Sequence, residues 1–175
     1  MSMAYKLLLL ILLFSSYAMA NPVYQKLGIP ADEISQQAQW NISIPPSGKG
    51  LPQGQGSAQK GAEIFAMQCA ACHGPQAIGG SAEPLMGEVG SLGGEYPEKT
   101  VASYWPYATT LFDYIRRAMP INAPFSLTAD EVYSLSAYLL SQDGIIPANS
   151  TLNQDSLPKV IMPNRDGFIP VYPIP

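Results

Sequence analysis

Apolar and polar positions divide the chain into four stretches. The first is an unbroken apolar run, Leu7 to Phe14, behind the single basic Lys6 and ahead of Ala18-Met19-Ala20. A basic start, an apolar centre and an A-x-A site predict a signal peptide over residues 1–20, cleaved to leave Asn21 first. The run is shorter than the roughly 20 residues of a spanning helix, so no stable membrane insertion is expected. No Cys lies near the cleavage point, which excludes lipid attachment there. Residues 21–56 are aperiodic, with one short helix expected from Pro30 to Trp40 and then a Pro/Gly linker. Trp40 and Leu51 are its apolar residues suited to dock on another surface; the alternative is a loose leader.

Helical periodicity begins after Ser57, a residue suited to cap a helix running from Ala58 to about Gln68. Gly61 and Phe65 share one face of it, and an interior Gly implies close approach of another helix. A Gly-rich loop follows, from Gly74 to Gly94. The aromatic cluster Ser103-Tyr104-Trp105-Pro106-Tyr107 precedes a second helix through Leu111, Phe112 and Ile115 toward Met119, with Thr109 or Thr110 as its cap. Thr128 and Glu131 form a capping box for a final helix with Val132, Leu135 and Leu139 on one stripe. Asp143-Gly144 stops it. From Ile145 to Pro175 six prolines forbid a continuous helix. That segment is either an arm on a partner or a wrap over its own domain. The expected architecture is all-α, with one domain over 57–144 between a leader/linker (21–56) and a Pro-rich C-terminal arm (145–175).

Composition narrows the function classes. Loss of the leader removes Lys6 and leaves eight basic side chains against 13 acidic ones, a net charge of −5 over 155 residues. An acidic chain without basic clusters argues against nucleic-acid partners. The chemistry is concentrated in Cys69-Ala70-Ala71-Cys72-His73, which holds every Cys and His of the chain. C-x-x-C-H is the attachment site of a c-type haem: two thiols add to two vinyl groups, and the adjacent imidazole becomes the proximal iron ligand. A structural zinc site needs four ligands, usually as two pairs, and only one pair is present. A redox dithiol wants a βαβ context, and a disulfide wants a framework; neither surrounds this motif.

With no second His, the other axial ligand is expected to be a Met thioether. Met67 is too near the attachment motif and Met162 lies in the arm. Met119, ahead of Pro120, is preferred, and Met86 is next. Two filled axial positions imply single-electron transfer, whereas an open position would imply peroxide or gas chemistry. A backbone carbonyl near Pro84-Leu85 is expected to accept the other ring N–H of His73. The tyrosines and Trp105 are expected to reach the haem propionates, and Arg116 and Arg117 to neutralise a propionate or meet a partner.

Helix, C-x-x-C-H, Gly-rich loop, Met119-Pro120 and final amphipathic helix, in that order, resemble class I cytochromes c over about residues 57–144. That resemblance implies a small all-α fold whose core is largely one covalently bound haem c. It also implies a crossing of first and last helices at Gly61, Phe65 and Tyr138, and Pro84 as the residue whose carbonyl meets His73. Within the family, the segments 103–110, 113–120 and 127–133, with Trp40 and Gly50-Leu51-Pro52, are similar to the cytochrome c subunits of bacterial molybdenum sulfite or sulfane dehydrogenases. What this implies is a periplasmic, electron-accepting, non-catalytic subunit that passes electrons to a downstream cytochrome or oxidase. A free-standing carrier and a haem enzyme with an open iron site are the alternatives.

Overall fold

Nine consecutive side chains of the last helix, Val132 to Leu140, are buried. A helix buried all round must be covered on every side, and the rest of the fold supplies that cover. The structure is a computed structural model and describes residues 42–169 and 171; the expected signal peptide, the expected helix from Pro30 and Trp40 lie outside them. In chain order the elements are β1 (Gln55–Ser57), α1 (Ala58–Gln68), α2 (Ala70–His73), α3 (Val101–Tyr104), α4 (Ala108–Ala118), α5 (Ala129–Gln142) and β2 (Thr151–Asn153). Single 3-10 turns occur at Ser91–Gly93 and Leu157–Lys159.

Helix α1 begins as the sequence predicts: the Ser57 hydroxyl accepts from the Lys60 N–H at 3.2 Å. It crosses α5 at Gly61, where a Cβ would overlap the carbonyl of Ser134 and crowd Tyr138. One helical turn on, the Phe65 and Tyr138 rings meet at 5.2 Å. The Thr128–Glu131 capping box is formed at the start of α5, and Gly144 follows its end with φ +69°. Helix α4 differs from expectation at its start. Its N-cap is Tyr107, with no side-chain cap. Thr109 lies inside the helix, and its hydroxyl is buried without a partner. The preceding turn explains the shift: Thr100 and Ser103 form their own capping box and open α3, a helix the aromatic cluster concealed.

The segments outside α1–α5 cover the remaining faces of α5. Strands β1 and β2 pair antiparallel, Gly56 opposite Leu152, and a Cβ at Gly56 would strike Ser134. Ile44, Leu152, Leu157 and Met162 are all buried. The Tyr133 ring packs on Phe112 at 4.5 Å, and its hydroxyl donates to the Pro52 carbonyl at 2.8 Å. The core is therefore not only a cofactor's. Ile44, Leu152, Leu157 and Met162 from the two arms join the helix side chains in one apolar cluster, beside the haem core that the resemblance implied.

Tyr133→Phe leaves the Pro52 carbonyl without its donor. The expected loss is about 1 kcal/mol, the net worth of one such hydrogen bond. A urea titration should show a lower midpoint at an unchanged slope. Asp143, at the C-cap of α5, supplies a pH test. Burial pushes its carboxyl from 3.8 up to about 6, against the backbone N–H groups of Gly87 and Ala102, which favour ionisation. A raised folded-state value means that folding takes up a proton. This contribution is full below about pH 4 and is lost as the pH rises through about 6. Asp143→Asn should flatten that part of the stability profile and raise the urea midpoint at neutral pH.

Candidate functional site

The C-x-x-C-H motif sits where α1 ends. Cys69 caps α1, its N–H reaching back to the Phe65 carbonyl, and the chain turns at once into the single turn α2. Gly74 ends that turn with φ +77°, and a Cβ there would strike the Gly79 carbonyl. Only Gly meets both demands. The loop then folds back on the motif. Gly79 N–H donates to the His73 carbonyl at 2.9 Å, and Ala82 N–H to the Cys72 carbonyl at 2.9 Å. Ala77, fully buried, accepts from both Leu85 and Met86. These bonds bring the Glu83 carbonyl to 3.1 Å from His73 Nδ1. The acceptor is thus Glu83, one residue before the Pro84 that the resemblance implied. Nδ1–H donating to a carbonyl leaves the lone pair on Nε2, the tautomer a metal needs.

Two cavities flank this motif. One, of about 260 Å³, is lined by Phe65, Cys69, Cys72, His73, Met119 and Leu135 among others. The other, of about 290 Å³, is lined by His73, Lys99, Tyr104, Trp105, Tyr114 and Met119 among others. His73, Leu85, Ile115, Met119 and Leu139 line both, so the two are halves of one cleft between α1, α4, α5 and the Gly-rich loop. Both thiols and the imidazole are on its wall. Met119, at the C-cap of α4, is on it as well. The remaining described methionines are elsewhere: Met67 is exposed, Met162 is buried in the arm's core, and Met86 packs against the core without lining either cavity.

The charges are arranged differently from expectation. Arg117 Nη2 is 2.6 Å from Asp113 Oδ2, an i,i+4 pair, and neither Arg117 nor Arg116 lines the cleft. Among the described residues Lys99 is the one Lys or Arg that does, near the aromatic group of Tyr104, Trp105 and Tyr114. Sequence reading missed it because a lone Lys at a loop end carries no local signal. Burial, with the neighbouring Cys72 thiol, pushes Cys69 up to about 11, so it is a neutral thiol before any thioether forms.

The cleft fits haem c. Two thiols and an imidazole share one wall, Nδ1 of that imidazole is already engaged by the Glu83 carbonyl, and Phe65, Ile115, Leu135 and Leu139 make the lining apolar. The comparisons agree. Residues 58–143 match the family model for cytochrome c. A chain in the crystal structure of the sulfane dehydrogenase SoxCD from Paracoccus pantotrophus is 36% identical, with a TM-score of 0.73. That match covers 85% of this chain and 72% of the other. No curated protein matches. At that identity and coverage the chain belongs to the cytochrome c family, as a small class I member that carries one covalently bound haem c and transfers electrons.

Proposed function

We propose that this cytochrome works in the periplasm as the electron-accepting subunit of a molybdenum sulfite or sulfane dehydrogenase, and passes electrons on to a downstream cytochrome or oxidase. The extent of the SoxCD likeness carries this reading. It covers 85% of the chain, whereas the cytochrome c family match stops at residues 58–143. The likeness therefore includes sequence in the arms, which a bare electron-carrying fold does not need.

In this reading Cys69 and Cys72 would tether the porphyrin, and His73 and Met119 would hold its iron. Bound haem supplies an iron that exchanges one electron at a time. The protein's part would be to supply both protein ligands to that iron and to keep it dry. Glu83 fixes the imidazole through Nδ1 and so presents Nε2. Met119 offers a soft, neutral thioether, which favours the reduced state relative to a second nitrogen ligand. Phe65, Ile115, Leu135 and Leu139 exclude water from between the two ligands. With both positions filled, a small molecule has no open site on the iron, and the sulfur chemistry belongs to the partner. Among the described residues no helix is long and apolar enough to cross a membrane. The leader that would direct export lies outside them.

Purification of the tagged chain from its own host tests the partner. The expected result is a fixed-ratio complex with a molybdenum protein, whose haem is reduced on addition of sulfite or a sulfane. A solitary haem protein free of molybdenum would defeat the subunit reading.

A further inference from the structure

The C-terminal arm reaches the cleft through one residue, Tyr104. Met162, 1% exposed, anchors the arm in the core. Two residues later Asn164 Nδ2 donates to the Tyr104 carbonyl at 2.7 Å, across 60 positions of sequence. Phe168 then packs edge-on against the Tyr104 ring, 5.5 Å between centroids at 76°. Tyr104 is thus held at both its backbone and its ring. The same ring also faces Lys99, whose Nζ lies 5.3 Å from its centroid, within cation–π range. Both Lys99 and Tyr104 line the cleft, where Lys99 is the one Lys or Arg among the described residues. Haem carries two carboxylates, and an apolar cleft with one cation among its described lining residues would draw them toward it.

We propose that the C-terminal arm completes the haem site: Asn164 and Phe168 fix Tyr104, and Tyr104 holds Lys99 at the cleft as the charge partner of the haem carboxylates. The proposal rests on the haem reading above. Asn164, Phe168 and Tyr104 are positioning residues, and Lys99 is the group that meets the cofactor. Lys99 is solvent-exposed. Its effect is therefore one of field rather than of stability, and salt should screen it. Ferric haem carries one more positive charge than ferrous haem, so a nearby cation disfavours oxidation and raises the reduction potential.

Spectroelectrochemical titration of the full, haem-loaded chain tests this. Lys99→Met should lower the midpoint potential, and Lys99→Arg should restore it. The difference from wild type should shrink as ionic strength rises. The double variant Asn164→Ala/Phe168→Ala should also lower the potential, but should add little in the Lys99→Met background, because arm and lysine act through one group. An unchanged potential in Lys99→Met overturns the charge role, and an additive arm effect overturns the clamp. Covalent pigment in wild type and variants keeps these outcomes separate from the haem reading. A wild-type chain without pigment would overturn both.

Discussion

Met119→Ala should convert the reduced protein from a six-coordinate, low-spin state that ignores carbon monoxide into a five-coordinate, high-spin one that binds it at once. Met119 is the one described methionine on the cleft, and it lines the halves on both sides of His73. Alanine leaves no soft donor there. The reduction potential should fall on the order of a tenth of a volt or more, out of the ~0.8 V that axial ligation commands. Stability should fall too, by about 2–4 kcal/mol for a partly buried Met truncated to Ala, with loss of its ligand bond in addition. Met86→Ala is the comparison. It should keep the low-spin spectrum, since Met86 lines neither cavity. A low-spin, carbon-monoxide-resistant Met119→Ala protein together with a high-spin Met86→Ala protein would reassign the ligand.

Gly61→Ala should produce the other large effect. The added methyl would meet the Ser134 carbonyl, which is backbone and cannot rotate away as a side chain can. Helices α1 and α5 must separate. Overpacking of this kind costs about 3 kcal/mol. Removing an interior Gly returns roughly 1 kcal/mol of helix propensity, so the net loss is about 2 kcal/mol. This is a sizeable part of the ~5–15 kcal/mol that holds a domain folded. The same separation widens the cleft, because α1 presents Phe65 and Cys69 to it and α5 presents Leu135 and Leu139. Urea midpoints for the haem-loaded variants measure the loss. Gly93→Ala, at a site with no neighbour within 4 Å of the added Cβ, is the control expected to change little. Equal midpoints for the two variants would mean that the Gly61 crossing is not tight.

What could be read from the sequence was local. The Ser57 cap, the Thr128–Glu131 box and the Gly144 stop depend on neighbours three or four residues apart, and α1 and α5 appear with those boundaries. The attachment motif is five residues long. The Gly61 crossing could be expected because an interior Gly needs a reason. What could not be read was long-range. Strands β1 and β2 are three residues each and lie about 95 positions apart, too short for an alternating pattern to register. Thr109 and Thr110 looked like caps because the Thr100–Ser103 box, hidden among aromatics, had already redirected the chain. Arg117 was drawn toward the propionates by its charge, but Asp113, one helical turn away, holds it. Lys99 acquires meaning only from Tyr104 beneath it, and Tyr104 from an arm 60 residues further on. The Glu83 carbonyl replaced Pro84 because the acceptor is set by where Ala77 ties down the returning loop.

The axial pair is tested most directly by proton NMR of the reduced, natively loaded protein with labelled methionine methyl groups. A methyl bonded through its sulfur to haem iron sits over the porphyrin and moves far upfield. One such signal is expected, present in wild type and in Met86→Ala and missing from Met119→Ala. An upfield methyl that survives in Met119→Ala, or a wild-type spectrum without one, would contradict it.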